Sequence, residues 1–366
     1  MKIAIVHDYI SEFGGAERVL KALTEIYPDA PIYTAFYQKN SKAWQYFENK
    51  DIKVSWVHYI PFFSKYLHSP LRFLAPLIWN SFDFSKYDLI ISSSSWYITR
   101  GFKNKRKDAI EICYCHTPPR WLYGYRTSIE WQKYWPVRVY GTIVAHFMRI
   151  YDFKSAQRVN YFIANSKNVA ERIWKFYRRK SKVVYPPVEI LNTKKTEKQD
   201  YYLVISRIVG GKGLDLAVKT ASKLGFNLKI AGKSTGYYTE HKKLSKLCKK
   251  NIEFLGYVSD QKRAELFANA KGFFALATDE DFGITPVESM LAGTPVIAFR
   301  GGGYLESIVE GKTGIFFDKP TVNSLVSAVK KFEKMKFDSQ DCINQGKKFS
   351  KEIFKKEIKE FIKKHA

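Results

Sequence analysis

Asp279-Glu280-Asp281-Phe282-Gly283-Ile284-Thr285-Pro286-Val287-Glu288, continuing as Ser289-Met290-Leu291-Ala292-Gly293-Thr294-Pro295-Val296-Ile297-Ala298, reads as a loop, a helix and a strand in succession. Thr285 suits the helix N-cap, Pro286 its first position and Gly293 its end. Past Gly293 the apolar run reads as a buried strand, and Gly301-Gly302-Gly303 then makes a tight turn. The unit carries two carboxylates, Glu280 in the loop and Glu288 in the helix. Thr285-x-x-Glu288 is also a capping box that needs no ligand, and an acid just before a cap is ordinarily solvated. On these residues alone, both readings stay open.

The same alternation extends in both directions. Strands are expected at Tyr201–Ser206, Asn227–Ala231, Ile252–Leu255 and Gly272–Leu276, with a Gly-rich loop at Arg207–Gly213 and a helix from Leu214. An earlier series opens with a strand at Ile3–His7, a loop through Ser11–Gly15 and a helix from Ala16, then strands at Tyr87–Ser92 and Ile110–Cys115. Two runs of alternating strands and helices predict an α/β protein of two Rossmann-like, doubly wound domains. The expected boundary lies between Tyr185 and Asp200, giving domains of 1–187 and 188–344. Phe349, Ile353, Phe354, Ile358, Phe361 and Ile362 make an amphipathic C-terminal helix of about 345–366, whose apolar stripe suits a packing face or a membrane surface.

Composition narrows the classes. The 366 residues suit two domains, and 45% hydrophobic with 16% aromatic content supplies two cores. The first apolar run is short for a signal peptide, and no run reaches bilayer length, so a cytoplasmic protein is expected. Cys113, Cys115, Cys248 and Cys342 lack the spacing of a zinc site and read as buried, reduced thiols. Lys+Arg 61 against Asp+Glu 35 gives a net charge of +26, which favours a polyanionic partner. Nucleic acid fits poorly, since no motif of the usual binding families occurs.

Four further stretches carry chemistry. Ser206-Arg207-Ile208-Val209-Gly210-Gly211-Lys212-Gly213 places two cations between a strand and a helix, a setting that suits phosphate binding, although such a pair is more often surface charge. It fails the P-loop pattern, because Gly213 stands where Ser or Thr is needed. Gly14-Gly15 after the first strand lets a ligand approach the backbone. His116-Thr117-Pro118-Pro119-Arg120-Trp121 puts a histidine at a rigid strand end. Asp279-x-Asp281 has the spacing of a metal-binding Asp-x-Asp, yet it sits late in the chain, inside the two-glutamate segment, so no metal is expected.

Taken together, Glu280 and Glu288 resemble the E-x7-E signature of retaining glycosyltransferases of the GT-B fold, family 4. His116–Trp121 and Gly14-Gly15-Ala16-Glu17-Arg18 resemble a bacterial mannosyltransferase subgroup of that family, with Trp121 where tyrosine is common. The resemblance implies two domains facing across a cleft, with the C-terminal helix crossing back to the first. It implies catalytic roles for Glu280 and His116, and donor binding by Gly14, Gly15, Arg207, Lys212, Asp281, Phe282, Gly283, Ile284, Thr285 and Glu288. Arg120 and Trp121 fall on the acceptor side. No cofactor is implied beyond a sugar nucleotide as co-substrate, with the subgroup pointing to GDP-mannose, and base selection is expected around Gly256–Val258. The implied acceptor is a glycan or a polyprenyl-diphosphate-linked glycan. The aromatic, basic segments Trp56–Trp79 and Trp131–Arg158, with the basic run from Arg100, suit either core packing or peripheral contact with an anionic membrane at the inner face of the cell membrane. Competing readings are a basic membrane- or nucleic-acid-binding protein without transferase activity, and a GT-B sugar-nucleotide epimerase or phosphorylase.

Overall fold

The computed structural model describes residues 1–125, 134–189, 197–233, 244 and 249–366. Cys248, and Trp131 and Lys133 of the second aromatic segment, lie outside the described residues. The chain divides into two compact units, the first containing Met1–Tyr125, 134–187 and Lys351–Ala366, the second Val188–Ser350.

The first unit holds seven parallel strands: β1 (Ile3–His7), β2 (Ile32–Thr34), β3 (Ile52–Val54), β4 (Leu89–Ser94), β5 (Ile110–Cys115), β6 (Tyr161–Ala164) and β7 (Ser181–Val183). Their spatial order is β3-β2-β1-β4-β5-β6-β7. Every residue of β4 is buried, as expected of a parallel strand covered on both faces. The strand-order reversal falls between β1 and β4, where His7 pairs in register with Ser93. The switch point of such a sheet opens a crevice beyond the carboxyl ends of its strands.

The second unit repeats the plan with β8 (Gln199–Ile205), β9 (Leu228–Ala231), β10 (Ile252–Gly256), β11 (Ala270–Ala275), β12 (Val296–Phe299) and β13 (Gly314–Phe317), ordered β10-β9-β8-β11-β12-β13. Its reversal lies between β8 and β11. The chain leaving β8 there is the Ser206–Gly213 loop, and the chain leaving β11 leads into Asp279–Gly283.

Several local expectations shift. The helix after Gly283 runs Ile284–Leu291, so its N-cap is Gly283 at φ 88° and Thr285 lies inside the first turn rather than capping it. A positive φ at Gly283 lets the chain enter the helix two residues early. Arg100, read as the start of a basic surface run, is fully buried. The final helix runs Lys351–His365, not from about 345. A separate helix at Ser339–Lys347 and the link after it stay with the second unit, where Val188 bridges to Ser350 and Phe349 packs on Phe282. Phe354, Ile358 and Ile362 join the core built from Ile5, Leu20, Leu89 and Tyr114, so this helix packs on the first unit. Its apolar stripe is consumed there. Cys113, Cys115 and Cys342 are buried and form no disulfide.

Candidate active site

In the second unit Lys212 and Glu280, from the two loops at the switch point, meet with Nζ 2.7 Å from Oε2. Gly213, at φ 71°, opens the helix Leu214–Leu224 and presses on the end of β11, where a Cβ would meet Leu276 Cβ at 2.6 Å. That close approach brings the Lys212 loop onto the Glu280 loop. From the other side the triple-glycine turn supports the segment. Gly303 N–H donates to the Glu280 carbonyl at 3.0 Å, and a Cβ on Gly303 would stand 2.3 Å from Phe282 Cα. Only glycine fits there, so this sequence feature serves to hold Glu280 in place.

Gly283 and Phe282 are buried, while Asp281, Ile284 and Thr285 are half-buried at the helix entrance. The unpaired N–H groups of a first helical turn, with the helix dipole behind them, attract anions. Arg207 is exposed on the facing loop. Glu288 is buried at 2% exposure, and its Oε1 lies 3.4 Å from Arg263 Nη2. Arg263 comes from the helix Asp260–Asn269 and also contacts Asp260 at 3.2 Å. Nothing in the spacing of the sequence pointed to Arg263. The arrangement offers a cation, an acidic pair and a helix N-terminus within one loop system, suited to a phosphorylated, hydroxyl-rich ligand.

The first unit builds its own polar cluster at its switch point. His116 follows β5, its backbone N–H donating to the Ser94 carbonyl at 2.9 Å. Its ring Nε2 lies 2.8 Å from Ser93 Oγ, which in turn lies 3.0 Å from His7 Nδ1. His7 Nε2 is 3.7 Å from Glu17 Oε1, and Gly14 N–H donates to Glu17 Oε2 at 2.8 Å. The glycine turn and His116 are therefore joined through Glu17, which lies in the quoted Gly14–Arg18 motif, and through His7 and Ser93, to which the sequence reading gave no role. Burial, reinforced by the neighbouring His7, pushes the His116 pKa down to about 3. The imidazole is neutral at ordinary pH.

Asp8, one residue beyond β1, accepts from the backbone of Trp96 at 2.7 Å and Tyr97 at 3.2 Å, and from the Thr99 hydroxyl. It shapes the loop after β4 and is consumed by that task. Trp121 Nε1 donates to the Trp96 carbonyl, and the Arg72 guanidinium lies 4.7 Å from the Trp121 ring and 5.0 Å from that of Trp96. Arg120 and Trp121 begin a short 3-10 turn and are half-buried. Among the described residues, no group of three or more His, Cys, Asp or Glu side chains is gathered to hold a metal ion.

Over 345 residues the chain is 26% identical to alpha-1,3/1,6-mannosyltransferase ALG2 of Dictyostelium discoideum, covering 80% of this chain and 79% of that one. The mouse alpha-1,3/1,6-mannosyltransferase ALG2 is 25% identical, over 87% of this chain and 84% of its own. Among solved structures, Anabaena HepE in complex with UDP and glucose superposes over the full length of both chains with a TM-score of 0.73 at 17% identity, a likeness of fold. The model for glycosyltransferase family 4 matches residues 13–190, and that for glycosyl transferases group 1 matches residues 189–349. Between them the two models take up most of the sequence, and the chain belongs to glycosyltransferase family 4, a glycosyltransferase of the GT-B fold.

Proposed function

We propose that this enzyme moves mannose from GDP-mannose, with retention and without a metal ion, to a glycan carried on a lipid diphosphate. Mannose rests on the two mannosyltransferase relatives. The observation that carries the site is the Lys212–Glu280 pair at the second unit's switch point. We assign the donor to that unit, 188–344 in the main, with Arg207 and Lys212 on the diphosphate and Glu288 on the ribose. Glu280 and the chain from Asp281 through Phe282, Gly283, Ile284 and Thr285 orient the sugar. In the first unit we assign His116 a catalytic role, Gly14 and Gly15 donor binding, and Arg120 and Trp121 the acceptor side.

In the proposed reaction the bond between the anomeric carbon and the phosphate oxygen breaks as a new bond forms on the same face. The acceptor hydroxyl gives its proton to the departing phosphate oxygen. The cations of the Lys212 loop stabilise the charge that develops there. The test is incubation with GDP-, UDP- and dTDP-sugars in EDTA. GDP release that needs an added glycan, with the product in the donor's anomeric configuration, supports the reading. Release only with another nucleotide, an inverted product, or recovery of turnover by Mg2+ overturns the corresponding part.

A peripheral contact with anionic membrane fits the helix Trp135–Arg158. Trp135, Val139, Ile143, Phe147 and Ile150 recur every three or four residues and are all exposed, Trp135 at 70% and Phe147 at 65%. The opposite side buries Ala145, Met148, Asp152 and Ala156. Its one acid is thus hidden, while Arg138, Arg149 and Lys154 stay exposed. Tyr140 OH donates to the Pro70 carbonyl, tying this helix to a segment with Tyr59, Phe62 and Tyr66 exposed. Exposed aromatics beside unopposed cations match an anionic lipid interface. Among the described residues no helix is long and apolar enough to cross a membrane. Co-sedimentation with phosphatidylglycerol vesicles, weakened by salt and by Phe147→Glu, supports the contact; equal binding to neutral vesicles, or none, overturns it.

A further inference from the structure

The chain of contacts from Glu17 to His116 has a definite proton logic. A serine hydroxyl has one proton, so Ser93 Oγ can donate to only one of its two imidazole neighbours, and a bond to the other needs an N–H from that ring. A carboxylate only accepts. Glu17 Oε1, 3.7 Å from His7 Nε2, favours a proton on that nitrogen. With the ring's one proton on Nε2, His7 Nδ1 is an acceptor, and Ser93 donates to it. Ser93 must in turn accept from His116 Nε2–H. His116 becomes the Nε2–H tautomer, and its Nδ1 carries the lone pair.

We propose that Glu17, His7 and Ser93 form a positioning relay that holds His116 as its Nε2–H tautomer, so that His116 Nδ1 accepts a hydrogen bond from a substrate hydroxyl. The inference rests on the reading of His116 as a substrate-facing group. Geometry supports each link. His7 and Ser93 are register partners on adjacent parallel strands, so their side chains emerge side by side on one face. His7, Ser93 and His116 are all buried, which spares these bonds competition from bulk water. Glu17 is held by the Gly14 N–H in the first turn of the helix Gly15–Ile26, so its carboxylate is anchored rather than free to swing. The same bond makes the glycine turn part of the relay.

The experiment is 15N NMR of the histidine-labelled full chain, with the His116 signals identified by their loss in His116→Gln. In the unaltered protein Nε2 should show the protonated shift and Nδ1 the unprotonated one. Ser93→Ala and Glu17→Gln should each redistribute that pattern. Turnover is followed alongside, with thermal melting as a check on folding. Removing one relay hydrogen bond should lower kcat about ten-fold while the donor KM moves less than three-fold. A merely structural serine would change the melting temperature and leave the tautomer alone. An Nδ1–H tautomer in the unaltered protein overturns the relay, whatever Ser93→Ala and Glu17→Gln do. So does an unchanged tautomer in Ser93→Ala with full turnover. If His116→Gln keeps full turnover, the substrate-facing role of His116 falls, while the NMR result still decides the relay itself.

Discussion

Lys212 Nζ sits 2.7 Å from Glu280 Oε2, so a cation assigned to the donor diphosphate and a carboxylate assigned to the sugar hold each other when no donor is bound. Both side chains are about a quarter exposed or less, at 27% and 19%. In that setting the pair contributes little to stability, within about 1 kcal/mol. Its value lies in pre-placing both groups. Lys212→Ala and Glu280→Gln should each lower kcat/KM roughly a hundred-fold, as loss of one preorganised electrostatic group does. The double variant should lose much less than the product of the two, because the groups act as a unit. Steady-state kinetics of the four proteins checks this; full additivity would refute the unit.

Arg263 stands behind Glu288 as Lys212 stands behind Glu280. Its guanidinium lies 3.4 Å from a carboxylate that is almost wholly buried. Arg263→Ala leaves that carboxylate without its cation, at a cost of about 2 kcal/mol in stability. If Glu288 grips the ribose, the donor KM should rise about ten-fold, with kcat less affected. Denaturant unfolding and initial-rate kinetics measure both. A normal KM would limit Arg263 to structure.

The first unit also holds a buried ion pair. Arg100, on the chain after β4, bonds Asp152 of the helix Trp135–Arg158, with Tyr177 OH at 2.6 Å and Ser94 Oγ at 2.8 Å. Tyr123 and Tyr177 hydroxyls donate to the other carboxylate oxygen. Burial raises the Asp152 pKa, and the guanidinium and the two tyrosines oppose that rise. Arg100→Met strands the Asp152 charge and should cost about 3–5 kcal/mol. Arg100→Met with Asp152→Leu should recover part of it. Calorimetric melting of both variants decides; a single variant as stable as the parent would contradict the structure.

The sequence showed the architecture where strands are apolar runs between glycine turns. Ile3–His7 and Ile110–Cys115 appear at the expected residues. Leu89–Ser94 reaches two residues past its expected end because Ser93 and Ser94 are polar yet buried, and they hydrogen-bond His116 and Arg100. A propensity reading stops at such serines. Glu280, Lys212 and His116 were legible because each lies in a recognisable motif. Their supports Arg263, Ser93 and His7 were not, because they are set by parallel register and loop packing between residues far apart in the chain; Glu17 stood in the Gly14–Arg18 motif, but its approach to His7 was not readable there. His7 meets Ser93 across 86 positions. No local pattern encodes that pairing.

His116 also contributes to how the protein responds to acid. Burial, with His7 close by, lowers its pKa from the ordinary 6.5 to about 3. The folded protein keeps His116 neutral down to about pH 3, whereas the unfolded chain protonates it below about pH 6.5. In that window the unfolded state binds the extra proton, so stability rises with pH and is lost on acidification. Between pH 6.5 and 5 the loss from this one group is on the order of 2 kcal/mol. Ser93, His7 and Tyr114 face the imidazole, and none of them carries a negative charge that would stabilise imidazolium there. His116→Gln cannot take up the proton in either state. It should therefore lose less stability than the parent between pH 7 and 5, by on the order of 2 kcal/mol in urea unfolding at each pH. Parallel pH profiles for the two proteins would mean that the imidazole titrates normally in the fold, and would place it nearer to water than the structure does.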